Sequence, residues 1–409
     1  LIEIEEDIMP MAATRAEKLP PTTRVNVVIA GGGIAALEAG LALRDLASEL
    51  VSVTMVAPTD QFTFSPASVG APFGKAVVRR FDLFRIANDL GARLVVGAVT
   101  EVDAENRRVI LEAGEALSYD ALVLACGASA LEAVAGATTF AGPADVNQMQ
   151  AVLADILEGR ASQLLFALPA SLGWTLPLYE LCLLTSEYLV QRDGIYRYGN
   201  GTIRRTSVEI GFVTPEAVPL EAFGTTASHA VAAMFEERGI AFHGQRTPVG
   251  FLDNQLETRP EGRIGADRVV AMPRLRGVKI DGVPADSDGF IRTDTHGRVE
   301  SLHHVYAAGD TTAFPIKQGG MAAQQAVAAA QTIAAEAGAS ITPEPFAPML
   351  RGVLLTGAHE RYLTTDVQGG HGETSTVADE PLWWPPGKVA ARYLTAYLAE
   401  LDTDLTQPI

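Results

Sequence analysis

The apolar run Val25 to Ala30 ends in Gly31-Gly32-Gly33-Ile34-Ala35-Ala36, and Ile34, Leu37 and Leu41 then recur at helical spacing. A strand that turns on glycines straight into an amphipathic helix leaves few folds open. The six residues fit G-x-G-x-x-G/A. In that pattern Gly31 allows the tight turn, Gly33 lets backbone approach a pyrophosphate, and Ala36, with Ala35 beside it, lets the helix lie close to the strand. The helix N-terminus adds unpaired N–H groups and partial positive charge. Val51, Val53 and Met55 read as the next strand, so the chain opens as a doubly wound α/β sheet.

At 409 residues the chain is too long for one simple core. Leu94 to Val99 reads as a strand, Val109 to Tyr119 as a hairpin turning at Gly114, and Ala121 to Ala125 as a buried central strand. Strand Leu164–Leu168, helix Leu176–Val190 and strand Val208–Val213 then repeat the opening order. Near Asp267 the first pattern returns. The expected architecture is two Rossmann-like units, the first discontinuous over 24–140 and 265–345, the second over 141–264. A mobile arm, 1–23, precedes them and a C-terminal capping piece, 346–409, follows. That piece has a strand near Gly352–Leu355, a Gly/His/Thr-rich loop around Gly369–Ser375 and a helix from Lys388 to Glu400.

The formal net charge of −18 excludes a nucleic-acid binder, which needs a basic surface, and leaves at most peripheral membrane contact. Two cysteines, Cys126 and Cys182, exclude a disulfide scaffold and fit a cytoplasmic protein. Seven scattered histidines suggest no metal site.

Two further stretches bear on a ligand. Tyr119 to Gly127 is a buried strand ending in small residues, where Ala125 and Gly127 allow close approach. Val305 to Gln325 is a strand, then Gly309-Asp310, then Lys317-Gln318-Gly319-Gly320 before an Ala/Gln helix. With Gly31–Ala36, these motifs resemble the FAD-dependent pyridine nucleotide-disulfide oxidoreductase superfamily with two dinucleotide-binding domains. Within it the chain is most similar to the branch of sulfide:quinone oxidoreductases and type II NADH dehydrogenases. The resemblance runs from Val25 to Ala335 in element order.

It implies FAD, extended from Gly31–Ala36 to Lys317–Gln318, with its ring near Phe64, Pro66 and the C-terminal piece. Asp310 would accept from the ribitol hydroxyls. Lys317, the catalytic candidate, and the following helix N-terminus would stabilise negative charge on reduction. The second strand lacks the acid that usually holds a ribose, leaving Asp60 or backbone. Val99 completes the candidate contacts. Trp383-Trp384-Pro385-Pro386 suits either an apolar wall for a substrate such as a quinone ring or a packing anchor. A homodimer is a family expectation.

The chain also departs from the pattern. Sulfide-oxidising members carry active-site cysteines, and neither Cys126 nor Cys182 falls where one is needed. The turn Pro169 to Pro177 has one glycine and Trp174 where NADH users have a second G-x-G-x-x-G. Glu216, after the next strand, could still hold a ribose. The expected function is a FAD-dependent oxidoreductase passing electrons to a quinone or redox protein. The alternatives are an NAD(P)H-dependent quinone or ferredoxin reductase and a flavin-bound interaction or sensor protein.

Overall fold

The computed structural model describes residues 24–169, 173–193, 208–368 and 371–401; the expected arm, 1–23, lies outside them. The first sheet is parallel and runs, edge to edge, Val305–Ala307, Ala121–Leu124, Val25–Ala30, Val51–Ala57, Arg93–Val96. Its strands read as near-continuous apolar runs because both faces are covered. Helices Ile34–Ala47 and Gly319–Glu336 cover one face, and their alanines let them pack closely on each other. An antiparallel meander of Val99–Asp103, Arg108–Leu111 and Ala116–Ser118 covers the other.

The second unit repeats this plan. Its parallel sheet runs Thr138–Thr139, Arg268–Ala271, Gln163–Ala167, Glu209–Val213, Ala241–His243. Helices Val146–Leu157, Leu176–Asp193 and Thr225–Arg238 bury Met149, Tyr179 and Phe235 against one face. A meander of Thr247–Leu252, Gln255–Arg259 and Gly262–Gly265 meets the other face through Leu256. The C-terminal piece spans both units. Its antiparallel sheet, Met349–Leu355, Glu360–Gln368 and His371–Ala378, packs on the second core through Leu350, Leu354 and Leu363. Its last helix, Leu394–Leu401, packs on the first through Leu394 and Leu398.

Four expectations are corrected. Arg268–Ala271, assigned to the return of the first unit, lies inside the second sheet between Thr138–Thr139 and Gln163–Ala167. An apolar run shows by period that it is buried, not which sheet it joins. The units are instead bridged by the antiparallel ribbon of Ala128–Leu131 with Arg274–Gly277. The strand Leu94–Val99 is two: Gly97 breaks it by donating to Ala57 O at 2.8 Å, and Val99 opens the meander opposite Leu111. Within the supposed loop Gly369–Ser375, His371 onward is a strand paired with the preceding one, and 369–370 lie outside the described residues. The last helix starts at Leu394, not Lys388.

The bridging ribbon leaves no room at Gly277. A Cβ there would stand 1.9 Å from Gly289 O. Gly277→Ala is therefore expected to cost about 3 kcal/mol or more, read as a fall in thermal midpoint of roughly 6 °C or more. An unchanged midpoint would show that the ribbon yields freely.

Candidate functional site

A cavity of about 840 Å³ opens where the C-terminal strand ends of the first sheet face the loops of the second unit. This is where doubly wound sheets bind ligands, because strand ends leave a crevice and helix N-termini gather there. The first turn reaches it under tight constraint. Gly31 sits at φ +143°, donates to Val56 O at 2.7 Å, and has Ala125 O only 2.2 Å from where a Cβ would stand. Gly33 is different. It N-caps the helix Ile34–Ala47 without a side-chain cap, and a Cβ on it would meet nothing within 4 Å. The packing of the protein does not require glycine there, and the Gly33 backbone is open to the cavity. The first N–H groups of the helix have no acceptor inside it.

Asp310 faces the same cavity after the strand Val305–Ala307 and Gly309, which turns at φ +83°. Among the described residues no donor meets its carboxylate. Burial pushes that carboxyl up from its ordinary value, and the Lys317 ammonium opposes this. A free anionic acceptor suits sugar hydroxyls. Open space at Gly33 and an unpartnered carboxylate at Asp310 fit a dinucleotide laid along the cavity.

Lys317 lines the cavity, but its Nζ already donates to Thr312 O and lies 3.8 Å from the Phe290 ring centroid. Burial brings its ammonium down to about 8, against the pull of Asp310 and Asp286. Gln318 is the N-cap of Gly319–Glu336: its Oε1 accepts from Met321 N at 2.9 Å and its Nε2 donates to Arg351 O at 3.0 Å. Its side chain is therefore spent on the helix, and the wall it offers is largely backbone.

Gly33, Ala35, Pro66, Ala125, Gly127, Gly309, Asp310, Lys317 and Gln318 line the cavity. Gly31 and Ala36 support it from behind, with Ala36 fully buried. Asp60 is exposed and Val99 faces the meander, so neither lines it. Phe64 lines a second cavity of about 320 Å³, which shares Val353, Lys388 and Val389 with the first. Trp384 is 87% exposed, and Trp383 stacks edge-on against Tyr362 at 5.4 Å. Neither tryptophan lines either cavity, so the apolar-wall expectation does not hold for them. Of this segment it is Pro386 and Gly387 that reach the second cavity.

Sequence reasoning missed an ion pair in the cavity wall. Glu180, on helix Leu176–Asp193, binds Lys388 Nζ, with side chains 1% and 9% exposed. Glu180 Oε1 also accepts from Leu355 N at 2.9 Å, and Lys388 Nζ donates to Val353 O at 3.1 Å. Burial pushes the Glu180 carboxyl up, while the Lys388 ammonium opposes it. A lone acid in the apolar run Leu176 to Thr185 was the available clue. Nothing in the sequence near Lys388 points to its partner.

Among its described residues the second unit does not present a matching site. Glu216, the remaining candidate for a ribose, is buried and engaged. It accepts from Tyr179 OH at 2.5 Å, Thr214 Oγ1 at 2.9 Å and Glu221 N at 3.1 Å. Of the turn Pro169–Pro177, residues 170–172 lie outside the described residues. Its described part belongs to the first cavity: Gly173 N donates to Pro315 O at 3.1 Å, Lys317 N donates to Gly173 O at 3.3 Å, and Trp174 packs on Phe223. Neither cysteine lines the cavity. Cys126 Sγ donates to Ala30 O at 3.4 Å with its thiol pushed up to about 11 by burial, and Cys182 is wholly buried.

Two Rossmann-like units, one shared cavity and one phosphate-type turn define the fold of a two-domain flavoprotein oxidoreductase. A family model described as pyridine nucleotide-disulphide oxidoreductase matches residues 25–161 and 201–330, and the chain belongs to that family. In shape it is similar to the sulfide:quinone oxidoreductase of the hyperthermophilic bacterium Aquifex aeolicus, at 18% identity over 87% of each chain with a TM-score of 0.76. It is also similar to a ferredoxin reductase of Rhodopseudomonas palustris, at 16% identity over 85% of this chain and 83% of that one, TM-score 0.62. A covalent putidaredoxin reductase–putidaredoxin complex gives 19%, 84%, 82% and 0.61. Among the described residues no helix is long and apolar enough to cross a membrane.

The two glycines should separate folding from binding. Gly31→Ala is expected to lower the melting temperature of the flavin-free protein. Gly33→Ala should leave it unchanged and weaken flavin binding roughly 10- to 100-fold, measured by fluorescence titration. Equal behaviour of the two variants would contradict this division. Glu216 gives a pH test. Burial pushes its carboxyl up from 4.5 to about 7, so between those values the folded protein binds more protons than the unfolded chain. Its stabilisation is complete below the lower value and is lost as pH rises through the higher one, about 3 kcal/mol in all. Urea unfolding across that range should show a loss in the parent that Glu216→Gln, neutral throughout, does not share.

Proposed function

We propose that this chain is a FAD-dependent oxidoreductase whose electron acceptor is a quinone held against Lys388. Gly33 and the helix behind it would hold the pyrophosphate, and Asp310 the ribitol hydroxyls. Bound there, FAD would supply electrons one or two at a time; the rest of the chemistry falls to the chain. Lys317 and the N-terminus of Gly319–Glu336 keep positive potential on the cavity wall, which favours a reduced, anionic cofactor.

The observation that carries the choice of acceptor is the buried Glu180–Lys388 pair. A quinone takes up two electrons and two protons, so its oxygens need donors at the site. An iron–sulfur protein takes one electron and no proton, and needs only a surface. Two electrons and one of the protons would come from a reduced flavin. Lys388 Nζ can donate to a quinone oxygen and release the other proton to it, regaining one from solvent, while Glu180 Oε1 holds the ammonium in place. The smaller apolar cavity beyond Val353 and Val389 is suited to the alkyl tail. Nicotinamide as donor is disfavoured by the engaged Glu216 and by Trp174 in the turn. Sulfide is disfavoured by the positions of Cys126 and Cys182.

Anaerobic stopped-flow mixing tests this. NADH and NADPH are expected not to bleach the flavin-loaded protein. After dithionite reduction, a short-chain quinone should reoxidise it, and Lys388→Met should slow that step by about tenfold or more while ferricyanide, which needs no proton, reoxidises both alike. Rapid bleaching by NADH would install the reductase alternative. Equal quinone rates in parent and Lys388→Met would remove the pair from the reaction.

A further inference from the structure

The segment carrying Lys388 is held at its far end by a second buried carboxylate. Glu38 lies on the helix Ile34–Ala47, five residues after Gly33, and is fully buried. Its Oε1 accepts from Arg392 N at 2.8 Å and Tyr393 N at 3.1 Å, and its Oε2 accepts from Leu394 N at 2.7 Å. Leu394 N is the first N–H of the helix Leu394–Leu401 and the other two immediately precede it, so a residue 356 positions away in sequence holds the helix start. The capping is dear: burial pushes the Glu38 carboxyl up, and the three N–H groups oppose it.

The link from this anchor to Lys388 is short and stiff. Thr395 Oγ1 donates to Val389 O at 2.7 Å and accepts from Ala391 N at 3.0 Å, folding the intervening residues onto the helix start. The Val389 side chain closes on Gly319, where a Cβ would come within 3.1 Å of it. Tyr393 OH donates to Asp45 at 3.1 Å and Tyr397 OH to Asp89 at 2.8 Å, tying the helix itself to the first unit. Lys388 is thus fixed from two sides: by Glu180 of the second unit directly, and by Glu38 of the first through a locked connector. We infer that Glu38 is a positioning residue for Lys388, setting where its ammonium stands in the cavity wall.

This rests on the reading of Lys388 as the group that serves the quinone, and the test separates the two. Glu38→Gln keeps the size but replaces an acceptor oxygen by an N–H donor facing backbone N–H groups. It is expected to retain flavin, judged by visible absorbance per protein, and to reoxidise normally with ferricyanide. Backbone amides between Lys388 and Leu394 should exchange hydrogen faster. Quinone reoxidation should fall about tenfold, and adding Glu38→Gln to Lys388→Met should bring no further loss. Thr395→Val, which cuts the connector and leaves Glu38 in place, should slow quinone in the same selective way and carries the test if Glu38→Gln fails to fold. A parent-like quinone rate in both the Glu38 and Thr395 variants, with Lys388→Met slowed, overturns the inference alone. A parent-like rate in Lys388→Met overturns the reading beneath it. Full additivity in the double variant overturns the inference too, because Glu38 would then act by another route.

Discussion

The site depends on one close approach of backbone to backbone. At the end of the first strand the chain must turn into a helix while passing under the end of its neighbour, and it does so at Gly31, against the carbonyl of Ala125. Ala125 N in turn donates to Ala30 O at 2.7 Å, so two parallel strands close over the same few atoms. Only a residue without a Cβ fits, and only one that tolerates this φ. The consequence is directional. The helix that follows starts at the mouth of the cavity, with its unpaired N–H groups turned towards it, and Gly33 leaves its approach open.

The second unit is built on the same plan. Its turn after Gln163–Ala167 is hydrogen-bonded to Pro315 and Lys317 of the first unit, and it supplies Trp174 to the shared cavity wall. Of the described part of that turn, both backbone groups of Gly173 are engaged with protein. The acid after the next strand turned inward with the same outcome: Glu216 organises Tyr179, Thr214 and the start of Glu221–Phe223. The sheet and helices of this unit are held by their own core.

How much of this could be read from the chain follows the range of the forces involved. The two doubled units, the glycine turn and the helix after Gly319 were legible because period and turn chemistry are local. So were Asp310, Ala125 and Gly127, which stand at strand ends. What failed was long-range. The run Arg268–Ala271 is apolar on both faces and would suit either sheet. The stretch 371–375 reads as a loop until Glu360–Gln368 lies beside it to take up its backbone groups. The start of the last helix is held by Glu38, 356 positions away, as well as by the nearby Thr395. Glu180 and Lys388 are 208 positions apart, and each alone is only an unexpected charge.

The energetics of that last pair argue that it is not there for stability. Removing a carboxylate and an ammonium from water costs several kcal/mol for each ion, and their attraction repays this only with good geometry and further hydrogen bonds. The pair has those bonds, to Leu355 N and Val353 O, yet two apolar side chains of similar volume would serve the packing as well at no desolvation cost. The same holds for Glu38, since a helix can be capped by a serine or aspartate of its own. Both carboxylates grip a segment that passes from the second unit to the first across the cavity wall. A hydrophobic segment could pack there in several registers, because apolar contacts are non-directional. Hydrogen bonds to three consecutive N–H groups at one end and an ion pair at the other admit only one. What the buried charges add is position, and on the proposed reading position matters here, because the ammonium would have to meet a quinone oxygen within hydrogen-bond reach.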